Sequence, residues 1–466
     1  MDCEGTSRQA QGRVELVAST GDITAQDNES TSSRSDSRER SPTTSCSERD
    51  DGLRDYFETA QWTADGTTIL TSSSSNIISG YIVPEDLLSP TANRPLKLVP
   101  QATIQLPEPS NVLAGAPYFR LAEPWTQQLL VSARDHPIQL FYLSSSSPQA
   151  HQKPASSYPL TKARSETFLS ATSLVWPGPG THFVAGSRNL LAKFDVSRAG
   201  DEPLLRVKTI PSDRHLSKGG GVGMRGAVSS LAAQPPDGRN ASLVAAATWT
   251  RWVGLYDFAQ SSGACVATWS VARAGTEEAA VGGDGIAQAL WSPCGRYLLL
   301  GERKSRGVLV YDVRVTGRLL GWLAGRDAGG NQRIACDVFP GQDGAGFEVW
   351  SGSTHGNVKV WEGVGTREGA HEPAWGWSGA QRSTVASTCM HQSGAVVATL
   401  SGSWEFPDEE DSDGSDESGS DSGSSISSSE APWMRRQNRE SSLKIWSLSN
   451  NGYGAASPER VGAGPE

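Results

Sequence analysis

Long apolar runs are missing from this 466-residue chain. The longest, such as Leu243 to Ala247, fall far short of the ~20 residues that cross a bilayer. The opening MDCEGTSRQA carries no basic stretch followed by an apolar one, as a secretory leader would. Both absences argue against a membrane or secreted protein. Cysteine is scarce: the six (Cys3, Cys46, Cys265, Cys294, Cys336, Cys389) form no C-x-x-C pair. Scattered cysteines of this kind read as reduced thiols of the cytosol or nucleus. None of the seven histidines stands at ligand spacing from another or from a cysteine, so no metal centre is expected. No G-x-x-x-x-G-K-[ST] phosphate loop occurs, and no G-x-S-x-G. Gly221-Val-Gly-Met-Arg-Gly226 fits G-x-G-x-x-G, but a dinucleotide site needs a strand before it and a helix after it. Here RHLSKGGG before it reads as loop and AVSSLAAQ after it as strand. An inter-blade loop is expected there, with no cofactor and no small-molecule substrate.

The charge is unevenly placed. The formal net charge of −10 splits into −4 for residues 1–50, −10 for residues 405–430 and +4 for the remainder. The acidic total therefore describes the tails, and the rest is mildly basic and compatible with a polyanionic partner. Residues 1–50 contain sixteen Ser or Thr and few apolar side chains, so they cannot offset ordering entropy. A disordered Ser/Thr-rich tail is expected over 1–54, a disordered acidic serine-rich insertion over 405–440, and a further tail over 450–466. VELVAS (14–19) is the one strand-like piece of the N-terminal stretch.

Between these segments the chain repeats itself. In GIAQALWSPCGRYLLLGERKSRGVLVYDV (285–313) a strand, a Pro-Cys-Gly turn, a second strand, a charged loop and a third strand follow one another. The same unit recurs at 57–83, 118–143, 169–196, 227–258 and 334–363, and at 384–402 continued by 442–449. Its third strand ends each time in an aromatic, often with an acid after it: Tyr81, Phe141, Phe194-Asp195, Tyr256-Asp257, Tyr311-Asp312, Trp361-Glu362 and Trp446. The spacings of 60, 53, 62, 55, 50 and 85 leave room for a fourth strand and long loops. Seven such units predict an all-β, seven-bladed WD40 β-propeller over 55–449, interrupted in its last blade by the acidic insertion. A β-sandwich is the competing fold, but sandwiches do not repeat an aromatic-acid strand end seven times. By repeat phase the last blade lacks its outer strand, which must come from upstream of Tyr56, with VELVAS the candidate.

Blade topology also predicts a basic rim. In an up-and-down blade, the loop between strands two and three shares a face with the loop leading into strand one. The first kind holds Arg134, Arg188, Arg251, Arg303, Lys304 and Arg306, and the second holds Arg333. Arginine offers a planar fork to phosphate oxygens, so the set suits a nucleic-acid backbone. The competing reading for any one of them is a bond within its own blade or a pair with a neighbour such as Asp135 or Glu302. Trp375 and Trp377, in a glycine-rich loop between units, are better candidates for partner contact than the strand-borne tryptophans, although partner contact is not the favoured reading even for them.

Several segments together resemble the WD40-repeat family of telomerase Cajal body proteins, the antisense-of-p53 WD proteins. They are FETAQWTADGTTILTSSSSNIISGYIVP, SARDHPIQLF, TRWVGLYDF, SPCGRYLLLGERKS, GGNQRIACDV, SGSTHGNVKVWE and TCMHQSGAVVATLSG. The resemblance runs in order over roughly residues 56–404, with the opening unit and Asn331-Gln332-Arg333-Ile334 its most specific parts. It implies a noncatalytic RNA-binding chaperone. Its expected partners are a small nuclear RNA of the Cajal-body class or telomerase RNA, together with ribonucleoprotein proteins. Its expected location is nuclear, with a cytoplasmic pool. The chain departs from the family in its long basic run RKSRG and in the glycine-rich loop at 217–226. A protein-only scaffold resembling a G-protein β subunit is the alternative function. A propeller enzyme finds no acid, base or metal cluster to support it.

Overall fold

The computed structural model describes residues 14–23, 55–90, 93–143, 153–162, 164–210, 224–236, 243–259, 263–341, 344, 346–402 and 440–448. The tail expected at 1–13 and 24–54, the acidic insertion up to residue 439 and the tail at 450–466 lie outside the described residues.

Seven antiparallel sheets form the blades of a ring. Blade 1 comprises Phe57–Trp62, Thr68–Ser73, Ile77–Ile82 and Ala102–Gln105; blade 2, Ser110–Gly115, Gln128–Ala133, Ile138–Tyr142 and Ser156–Tyr158. Blade 3 comprises Ser173–Val175, His182–Ser187, Leu190–Asp195 and Leu205–Lys208; blade 4, Val228–Ala233, Leu243–Thr248, Trp252–Asp257 and Ala264–Ser270. Blade 5 comprises Ile286–Trp291, Tyr297–Glu302, Val308–Asp312 and Leu319–Leu323; blade 6, Cys336–Pro340, Phe347–Gly352, Val358–Val364 and Trp375–Trp377. Blade 7 comprises Val385–Met390, Val396–Ser401, Leu443–Leu448 and Val14–Ser19.

Val14–Ser19 closes the ring. It pairs antiparallel with Leu443–Leu448, Val14 opposite Leu448 and Ser19 opposite Lys444. VELVAS thus supplies the missing outer strand, and residues 14–23 belong to the ring rather than to a tail reaching residue 54. Two short parallel strands cover outer edges that would otherwise be open to pairing: Leu96–Lys97 on Val14–Ser19, and Gly369–His371 on Leu319–Leu323.

The repeated dipeptide has a physical cause in each half. The aromatics Tyr81, Phe141, Phe194, Tyr256, Tyr311 and Trp361 are all buried, filling the layers between blades that no blade could cover alone. The acid then starts the turn into the fourth strand. Asp195, Asp257 and Asp312 each accept the backbone N–H two residues on, at 2.9, 2.9 and 3.0 Å. Gly66, Gly295 and Gly394 stand at one position of the turn between strands one and two, all near φ +70°. Only glycine adopts that conformation without strain.

Side chains stitch neighbouring blades to each other's backbone. Gln288 of blade 5 donates to the Cys336 carbonyl of blade 6 and accepts from the Cys336 N–H, both at 2.8 Å. Trp62 Nε1 donates to Cys389 O across the closure, at 3.0 Å. Trp375 and Trp377, expected in a loop between units, instead form the outer strand of blade 6. They pack edge-on to Trp350, and Trp377 continues to Trp446 of blade 7. An extended segment beside Val358–Val360 finds more apolar cover than solvent does, which overrides its glycine content.

Candidate nucleic-acid interface at the channel mouth

The first strands line a central channel, and a recurring irregularity shapes one end of it. In blades 1, 2, 4, 5 and 7 the first strand shifts register just after its first residue. The shifts fall between Phe57 and Thr59, Ser110 and Val112, Val228 and Ser230, Ile286 and Gln288, and Val385 and Ser387. A bulge re-aims the side chain of its extra residue. Here the extra residues Asn111, Ser229 and Ala287, with Thr172 of blade 3, line a cavity of about 280 Å³.

The loops joining strands two and three lie on this same face, because each hydrogen-bonds to chain leading into a first strand. Arg134 N donates to Pro109 O at 3.2 Å, Arg303 N to Gly285 O at 3.0 Å and Lys304 N to Gly330 O at 3.2 Å. Arg188 bridges to Ala227. The seven cations proposed from sequence are therefore on one side of the disc, but their situations differ.

Arg134, Arg188 and Arg306 are exposed and have no ion pair among the described residues. Lys304 holds Asp284 at 3.2 Å in an exposed pair of little energetic weight. Arg251 does not face a ligand. Its Nε and Nη2 donate to the two carboxylate oxygens of Glu302 at 2.7 and 2.9 Å. The Glu302 side chain is 1% exposed and that of Arg251 15%. Burial pushes the Glu302 carboxyl up and Arg251 pulls it back. This guanidinium ties blade 4 to blade 5 and is removed from the rim set. For this residue the competing expectation, a pair with a neighbour such as Glu302, is the one the structure has.

Arg303 and Arg333 converge on the cavity. The Arg303 guanidinium lies over Trp249, its carbon 3.8 Å from the ring centre, and its Nε is buried without a hydrogen-bond partner among the described residues. Burial depresses its pKa, with Asp284 opposing. Arg333 is half-buried, with no hydrogen bond or ion pair among the described residues. Its pKa is lowered by burial and, next, by the charge of Arg303. Arg333 also lines the channel below, a cavity of about 420 Å³ whose wall includes Glu58 and Asp337. The mouth is cationic on the side of blades 5 and 6, where Arg303 and Arg333 stand, while Glu58 and Asp55 make blade 1 acidic. Such a mouth can hold an anion against two guanidinium forks.

Trp249 escaped the sequence reading. It stands in TWTRW, the same loop as Arg251, and an aromatic beside a cation in a strand-two-to-three loop was the available signal. The bulged polar residues carry no signal of their own, since a register shift breaks the period-two pattern by which a strand's faces are read.

A closed ring of seven blades with loop-borne cations around its channel defines a seven-bladed β-propeller of the WD-repeat type. No family model matches the chain. It is similar to Telomerase Cajal body protein 1 of Bos taurus, 27% identical over 363 residues, which is 77% of this chain and 59% of that protein. The human protein of the same name is 26% identical over the same length and shares. The chain thus spans about three fifths of the length of these relatives. It is also similar to guanine nucleotide-binding protein negative regulator 1 of Schizosaccharomyces pombe, 25% identical over 318 residues, 68% of this chain and 73% of that protein. The expected likeness to the telomerase Cajal body proteins is thereby met.

Proposed function

We propose that this chain is a noncatalytic, nuclear RNA-binding scaffold of small nuclear or telomerase ribonucleoproteins, with the RNA on the cationic face and ribonucleoprotein proteins as further partners. The observation that carries this reading is the pair Arg303 and Arg333, converging on one cavity with no carboxylate bonded to either among the described residues. A protein tolerates two such like charges in contact where a polyanion neutralises them. Arg134, Arg188 and Arg306 extend the positive surface along the same face. The names of the mammalian relatives support telomerase and the Cajal body as the setting.

The test is fluorescence anisotropy with a labelled hairpin RNA at 50 and 200 mM salt. Five contacts to the phosphates of an unpaired strand predict an affinity loss of roughly 100-fold over that range. An affinity flat with salt would remove the proposal. Sequencing of RNA crosslinked to the protein in cells then identifies the ligand.

The name of the fission-yeast relative favours a second reading, a protein-only scaffold akin to a G-protein β subunit. It predicts partner pull-downs that RNase leaves unchanged.

A further inference from the structure

The two cavity-lining arginines also set the size and kind of group that the mouth accepts. We infer that the mouth is a single-phosphate subsite, seating one phosphoryl group between Arg303 and Arg333 and the attached nucleoside against Trp249. This deepens the RNA reading and rests on it for the source of the phosphate.

Four observations converge on it. The cavity-lining Arg303 side chain makes no hydrogen bond among the described residues, and a phosphate would supply both acceptors and the compensating charge. Asn111 adds a neutral polar group to the lining, while the Thr172 and Ser229 hydroxyls are turned to the Val228 and Ile286 carbonyls. The volume of about 280 Å³ lies at the bottom of the range for small-molecule sites, so one nucleotide enters and an RNA helix does not. Trp249 is 46% exposed although one side of it is covered by Arg303, and it leaves ring surface for a base to stack on. The bound nucleotide is therefore unpaired, drawn from a loop or a chain end.

The test uses the full chain and three soluble probes: inorganic phosphate, AMP and adenosine, each by calorimetry at low salt. The labelled hairpin RNA is a fourth. AMP and phosphate are expected to bind, and adenosine to bind at least tenfold more weakly than AMP. Arg333→Gln and Arg303→Gln each lower affinity for AMP and for the hairpin about 10- to 100-fold. Arg198→Gln, in the turn between the third and fourth strands of blade 3 and so on the other face, changes AMP binding less than threefold. Because Arg333 gives up no partner, Arg333→Gln is expected to melt at or above the temperature of the parent; should it not fold, Arg303→Gln carries the test. AMP binding as tightly to both variants as to the parent, or adenosine binding as tightly as AMP, overturns the subsite while leaving RNA binding elsewhere on the face intact. Arg333-dependent binding of AMP and phosphate without any binding of RNA keeps the subsite and assigns its phosphate to a free metabolite.

Discussion

Arg251 and Glu302 stand 51 residues apart and meet as a two-point ion pair between blades 4 and 5. Gly283 makes room for it: a Cβ there would lie 2.2 Å from a Glu302 carboxylate oxygen. Removing one partner strands a buried charge. Glu302→Ala is therefore expected to cost about 3–5 kcal/mol, while Arg251→Leu with Glu302→Leu costs less than either single change. Urea unfolding of the three variants checks it. A double variant as damaged as the sum of the singles would show that the pair is not coupled.

Asp337 gives the ring a pH dependence. Its two carboxylate oxygens accept from Val338 N at 2.8 Å and from Met390 N, on blade 7, at 2.7 Å. Burial pushes its pKa up to about 6 from 3.8. Between those values the folded protein holds a proton that the unfolded chain has released. The contribution is thus complete below pH 3.8 and lost as pH rises through about 6. Relative to Asp337→Asn, the parent should lose roughly 3 kcal/mol of stability between pH 3 and 7. Denaturant titrations at stepped pH measure the gap, and a gap constant across that window would contradict the assignment.

The closing strand predicts a long-range effect from the N-terminus. Val17 is fully buried beside Leu443–Leu448, more than 400 positions away in sequence. Val17→Asp places an unpaired charge in that seam and should destabilise the fold by about 3 kcal/mol or more. Thermal melting reads this directly. A melting temperature equal to the parent's would mean the ring does not depend on this strand.

The tryptophans of blade 6 should matter to stability and not to ligand. Trp350 is buried, with Trp375 5.2 Å and Trp377 6.4 Å from it between ring centres. Trp377→Ala should destabilise by about 3 kcal/mol through the cavity it leaves. RNA affinity of the folded fraction stays unchanged. A loss of RNA binding at full stability would restore these residues to the interface.

The acidic run is expected to act on the face through its charge. Residues 405–430 carry ten acids and no base. Deleting them should raise RNA affinity at 50 mM salt by several-fold, with the gain fading above about 300 mM as screening shortens the reach. Equal affinities of the two proteins at low salt would exclude competition.

Much of the fold was legible because the propeller is written locally. Turn glycines such as Gly66 and Gly295, and dipeptides such as Tyr256-Asp257, act within a few residues of themselves, and repetition made them conspicuous. VELVAS could be proposed only by counting, as the piece that a seventh blade lacked. The tryptophans at 375 and 377 misled because a glycine-rich surrounding reads as loop, whereas a strand-pairing partner decides otherwise. At the site, alternation of loops placed all seven cations on one face. It could not say that Arg251 would turn to Glu302 while Arg303 and Arg333 turned to the cavity.

The order of residues by itself determined seven repeating units, their turns and the side of the disc on which each loop emerges, since these depend on contacts between near neighbours in the chain. Only the tertiary structure decided which cations are neutralised and which are left over. Closing a ring brings charges from separate blades within bonding range, and the distance between them exists only once the ring is shut.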